Sequence, residues 1–171
     1  MTSVEQKRLQ ELFSEKVEKH LDGGMGSCWM KRPEIADLVQ NALRHFNGQR
    51  YTLLAWCVMP NHVHVVFKPS DGHDLDKILH SWKSFTAHQA VKRMKVPSPF
   101  WQPEYYDHLI RDEEDLLRAI EYTLNNPATA GLRSWLWVGV TSDLASFLEG
   151  GTGVPPVEAK DGRDGHATQR R

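Results

Sequence analysis

The chain has 171 residues, 25% of them charged and 40% hydrophobic, which is the make-up of one soluble globular domain. No apolar run approaches the roughly 20 residues that span a bilayer. The opening MTSVEQKRLQELF mixes acids with bases and lacks the pattern of a secretory signal, so a cytoplasmic location and no membrane partner are expected. Lys plus Arg (21) nearly cancel Asp plus Glu (22), which excludes the global positive field of a protein that coats duplex DNA and makes any nucleic-acid recognition local.

In chain order, residues 3 to 21 read as an amphipathic helix, with Leu9, Leu12, Phe13, Val17 and Leu21 at helical spacing and Ser3 with Gln6 as a capping box. Gly23 and Gly24 end it. A second helix starts near Pro33 and carries Ile35, Leu38, Val39, Ala42, Leu43 and Phe46 on one face. The stretches YTLLAWCV (51 to 58) and HVHVVFK (62 to 68), separated by Met59, Pro60 and Asn61, predict an antiparallel hairpin. From Asp74 to about Lys95 a third helix sets Leu75, Ile78, Leu79, Trp82 and Phe85 against a polar side that includes Lys77, His88 and Lys92. Residues 104 to 110 are expected to form a third strand. A fourth helix opens at Arg111 and Asp112 and runs to Asn126, with a core stripe of Leu116, Leu117, Ile120 and Leu124 that leaves Tyr122 pointing away. Residues 134 to 149 suggest a short terminal helix or arm. The Gly/Pro-rich residues 150 to 171 have almost nothing to bury and are expected to be a disordered tail, leaving 1 to 149 as the single domain.

Cys28 and Cys57 are too few and too far apart for a zinc ribbon or a redox pair, and are expected to be reduced thiols. Histidines are denser: five of the nine, His62, His64, His73, His80 and His88, fall within 27 positions. In a strand, residues two apart share a face, so His62 and His64 project together and can share a divalent cation, although an isolated H-x-H is also what a strand's polar side can carry by chance. Tyr122 and Asn126 are spaced i and i+4 and stack on one side of the fourth helix. Taken alone, they read as a boundary aromatic and a helix-terminal residue before Pro127. Together, two imidazoles, a carboxamide and a tyrosine are the parts for metal-assisted nucleophilic attack on a phosphodiester. Glycine-rich phosphate loops and H-E-x-x-H are absent from the sequence. With no cysteine near the histidines, the donor set favours Mg²⁺ or Mn²⁺ over zinc.

The blocks WCVMPNHVHVVFKP, LHSWKSFTAHQA and FWQPEYYDHLIRDEEDLLRAIEYTLNNPATAGL, in that order over roughly residues 28 to 133, resemble the single-tyrosine HUH transposases, in the branch of REP-associated tyrosine transposases. The resemblance implies an α+β fold. Its ferredoxin-like antiparallel sheet would carry helices on one face and the histidines on the other, with the tyrosine helix reaching across to them. It implies His62, His64 and Asn126 as ligands of Mg²⁺ or Mn²⁺ and Tyr122 as nucleophile. Single-stranded or hairpin DNA would be cleaved and rejoined through a 5′-phosphotyrosine, by a monomer or homodimer. One departure stands out: the family's strand before the first helix is missing, since Met1 leads almost directly into helical sequence. That departure implies an upstream segment or another subunit in its place, or a decayed copy.

For DNA contact the expected residues are Lys77, Lys83, His88, Lys92 and Arg93 on or beside the polar side of the third helix, and Arg111 and Arg118 near the tyrosine. Trp101 and Tyr105 are candidates to stack on unpaired bases, with core packing an equal contender. Two other classes share these residues: a hairpin nucleic-acid binding protein that no longer cuts, and a zinc hydrolase of small phosphoesters.

Overall fold

The computed structural model describes residues 27–103, 105, 107–142 and 144. The expected helix at 3 to 21 and the tail at 150 to 171 lie outside them. A single 3-10 turn, Trp29–Lys31, precedes helix α1 (Pro33–His45), strands β1 (Tyr51–Val58) and β2 (Val63–Pro69), helices α2 (Leu75–Met94) and α3 (Glu113–Thr129), and strand β3 (Val138–Val140). Among the described residues the three strands form one antiparallel sheet in the order β2-β1-β3.

A bulge between Leu53 and Ala55 decides which side chains of β1 face where. One extra residue there shifts the alternation, so Tyr51 and Leu53 before it share a face with Trp56 and Val58 after it. Their partners Phe67, Val65 and Val63 complete that face. Against it pack Ile35, Val39 and Leu43 of α1 and Ile78 and Trp82 of α2, forming the larger core. Fully buried Tyr51 ties the layers together. Its hydroxyl donates to the Leu43 carbonyl at 2.8 Å and accepts from Trp82 Nε1 at 2.9 Å, so a polar group inside the core is left with both roles filled.

The opposite face carries Ala55, Cys57, His64 and Val66, and α3 crosses it, packing Ile120 with Ala55, Val66 and the partly buried Leu116 and Leu124. The helix starts at Asp112, whose side chain accepts from Asp115 N at 2.8 Å, and three acids fill its first turn. Such a cap with acids at the positive helix end contributes about 1–2 kcal/mol.

Four expectations need correction. Residues 104 to 110 supply no strand among the described residues: Tyr105 donates to Asp76 and His108 bonds Asp115, so side chains tie the segment to α2 and α3 instead of a ladder. The third strand comes instead from the segment expected to be a terminal helix or arm, because Val138–Val140 pairs with β1 and Val58 N donates to the Trp137 carbonyl at 2.8 Å. Helix α3 passes through Pro127 to Thr129; Ala130 N reaches the Asn126 carbonyl at 3.0 Å, which closes the turn that the proline enters. On α2 the buried stripe is Ile78, Trp82, Thr86 and Ala90, and Phe85 is 52% exposed. Thr86 is buried because its hydroxyl, bonded to the Trp82 carbonyl at 2.7 Å, accepts from Trp101 Nε1 at 2.8 Å.

Candidate metal and nucleophile site

β2 begins at Val63, one residue later than expected, so His62 belongs to the turn and His64 to the strand. The turn is pinned from both sides: Met59 N donates to the His62 carbonyl at 2.9 Å, and Met30 N from the 3-10 turn donates to the Pro60 carbonyl at 3.0 Å. The imidazoles therefore meet despite the difference in backbone. His62 Nε2 and His64 Nε2 lie 2.8 Å apart, with the rings perpendicular.

The far nitrogen of His62 is fixed by a residue that sequence reasoning did not single out. Asn61 Oδ1 lies 2.7 Å from His62 Nδ1, so the carboxamide oxygen accepts from Nδ1 and leaves Nε2 turned toward His64. Histidines that ligate metals are oriented in this way by a second partner. The available signal was position: Asn61 closes the Pro60 turn just before the first histidine. His64 is held neutral by its surroundings. Burial, reinforced by the neighbouring His62, lowers its pKa from 6.5 to about 3.

Two nitrogens about 3 Å apart match adjacent ligands on one cation at about 2.1 Å from each. Among the described residues, no group of three or more His, Cys, Asp and Glu gathers to hold an ion. The neutral donor that the sequence offers beside them is the Asn126 carboxamide. It is 5% exposed and shares an open groove with Tyr122, four residues earlier on α3. The Tyr122 ring packs edge-on against His64 with centroids 5.2 Å apart, and the tyrosine keeps 40% of its surface. The structure thus brings together His62, His64 and Tyr122, and puts Asn126 one helical turn from the tyrosine.

The residues expected to contact DNA are dispersed. Lys77 pairs with Asp74 at 2.6 Å. Lys83 donates to the carbonyls of Gln102 and Pro103 at 2.6 and 3.1 Å, holding the 95–103 loop against α2. Trp101 packs on the larger core, and the Tyr105 hydroxyl donates to Asp76. His88, Lys92 and Arg93 are exposed on α2, in the layer on the far side of the sheet from the histidines. Arg111 precedes α3, and Arg118 lies one turn before Tyr122 in an ion pair with Glu114 at 2.6 Å. Among the described residues no helix is long and apolar enough to cross a membrane.

The IS200-like transposase family matches residues 29–123, more than half of the chain, and the chain is a member of it. Within that family the chain is similar to the REP-associated tyrosine transposase of Escherichia coli K12, with 29% identity over 122 residues covering 66% of each chain. It is also similar to a putative REP-associated tyrosine transposase of Haemophilus influenzae, with 24% identity over 126 residues, 64% of this chain and 72% of the relative. The chain thus spans about two thirds of the length of these relatives. Its fold matches a solved REP-associated tyrosine transposase bound to a REP hairpin, with a TM-score of 0.57 at 20% identity over 86% of this chain and 85% of the other.

Proposed function

We propose that the protein cleaves and rejoins single-stranded DNA, presented as a hairpin from a palindromic repeat, with Tyr122 as the nucleophile. One observation carries the reading: a tyrosine from α3 packs on His64, whose Nε2 converges with that of His62, although the tyrosine is 58 residues further along the chain. Support for the substrate comes from the relatives, one of which has been solved with a hairpin bound.

In the cleavage step the Tyr122 oxygen bonds to phosphorus and its phenolic proton is lost. The bond to the 3′-oxygen breaks, and that oxygen gains a proton as a free 3′-hydroxyl. The phosphate stays on the protein as a 5′-phosphotyrosine. Attack by another 3′-hydroxyl reverses these changes and restores the tyrosine, so rejoining needs no ATP. His62, His64 and Asn126 would hold Mg²⁺ or Mn²⁺, which when bound polarises the phosphate oxygens as a Lewis acid. Asn61 keeps His62 turned toward that position. The packing of His64 against the tyrosine keeps the nucleophile at the same place.

The test is covalent capture. Labelled single-stranded hairpin DNA incubated with the protein and Mg²⁺ or Mn²⁺ leaves label on the denatured chain, and Tyr122→Phe abolishes the label while binding survives. Tyr105→Phe serves as the control. Binding by wild type with no trapped label would instead identify a hairpin-binding protein, and turnover of small phosphoesters without an adduct would identify a hydrolase.

A further inference from the structure

The cleavage step leaves one part of α3 unused. An open groove of about 300 Å³ is lined by Arg118, Glu121, Tyr122, Asn125, Asn126 and Thr129. It follows one side of the helix for about three turns with the tyrosine near its middle. That size is the lower limit of small-ligand pockets, ~300–1,000 Å³, and suits a single nucleoside-sized group better than a length of strand.

The charges select what kind of group. Arg118 donates to Glu114 at 2.6 Å and lies 3.5 Å from Asp115, and Glu121 adds another carboxylate to the groove wall. Arg118 is thus already engaged by two carboxylates and Glu121 is the one carboxylate among the lining residues, so the lining offers no net positive charge to hold a phosphate of its own. An uncharged planar group with its own donors and acceptors meets complementary chemistry. The guanidinium has five N–H donors in all, the Asn125 carboxamide offers both roles, and Glu121 accepts. The Thr129 hydroxyl donates to the Asn125 backbone carbonyl at 3.1 Å, so its lone pairs are left to accept. Donors and acceptors arranged in this way recognise the edge of an unpaired base.

We infer that this groove seats one nucleobase of the single strand, the one flanking the phosphate presented to Tyr122, with Arg118, Glu121 and Asn125 discriminating among bases. Its location rests on the reading of Tyr122 as nucleophile, and its test does not. Tyr122→Phe protein, which cannot form an adduct, is titrated by fluorescence anisotropy with labelled oligonucleotides of dA, dC, dG and dT and with an abasic one of equal length, at one salt concentration. The four bases should differ by about fivefold or more, with the abasic strand weakest. Adding Glu121→Gln or Asn125→Ala should compress that spread below about fivefold while moving the abasic affinity less than about twofold. Arg118, Glu121 and Asn125 are all exposed, so the variants keep the fold, and coincident thermal melts check this. A spread below fivefold in the Tyr122→Phe protein, or one that survives both added substitutions, overturns the inference. Covalent capture by wild type is scored apart: an adduct without base discrimination removes the groove's role, and discrimination without an adduct removes the cleavage reading instead.

Discussion

Acidification should loosen this fold through His64 more than through any exposed carboxylate. Its pKa is held at about 3, against 6.5 in ordinary surroundings, first by burial and then by the adjacent His62. A depressed folded-state pKa means that the unfolded chain binds the extra proton between about pH 3 and 6.5. The stabilisation is therefore present above pH 6.5 and is lost as pH falls toward 3. With one pKa unit worth about 1.4 kcal/mol, the loss between pH 7 and pH 5 comes to about 2 kcal/mol, a large part of a typical domain stability of about 5–15 kcal/mol. The assay is urea unfolding across that range in chelator, comparing wild type with His64→Gln, whose amide does not titrate. Wild type should lose about 2 kcal/mol more than the variant over those two pH units. Parallel pH profiles would show that the His64 environment described here does not hold the ring neutral.

Further outcomes bear on the metal, the sheet and the DNA surface. Two imidazoles and a carboxamide bring no negative charge, so Mn²⁺ should bind weakly to the protein alone and more tightly once a phosphodiester is present; equal affinities in calorimetry would contradict this. His64→Ala should abolish metal-dependent adduct formation, whereas Asn126→Ala should only slow it, because water can replace a neutral oxygen ligand. At Gly139 an added Cβ would stand 2.6 Å from Trp56 Cζ2, on an indole whose Nε1 is bonded to Gln40 at 2.9 Å. Gly139→Ala should cost about 1–3 kcal/mol in denaturant melts, and Trp56→Phe in the same chain should recover part of it; simple additivity would refute the steric account. Lys83, engaged with two loop carbonyls, and exposed Arg93 should differ in DNA binding. Arg93→Ala should lower the salt dependence by about one counterion and Lys83→Ala should not, and equal slopes would place both at the phosphates or neither.

Much of the fold was legible because local rules coincide with tertiary needs. The β1–β2 hairpin and α1 follow from two runs rich in β-branched and aromatic residues around a Pro-Asn turn and from a 3.6-residue period, and each appears within about a residue of its expected bounds. Local pattern misled where a segment's partner came from elsewhere in the chain. A strand is expected over residues 104 to 110, yet the vacant edge of β1 is taken by the three residues Val138–Val140, a stretch too short to carry a period. Phe85 looked like a core residue of its helix, but Thr86 is buried in its place, because the Trp101 indole arrives from another loop needing an acceptor.

The same division runs through the site. Sequence by itself brought forward the candidate residues, since the H-x-H spacing singles out His62 and His64 and the i, i+4 spacing stacks Tyr122 with Asn126 along one helix. Tertiary structure decided that the histidine pair and the tyrosine share one place. Only the crossing of α3 over the histidine face of the sheet sets the Tyr122 ring against His64, and only the pinned turn aims Asn61 at His62. It also decided which cations stay exposed, because an ion pair such as Lys77 with Asp74 follows helical spacing, while the carbonyls that occupy Lys83 belong to a loop about twenty residues away. Spacing along a helix or strand is a property of the chain, whereas the meeting of distant elements depends on how their apolar faces are buried against one another.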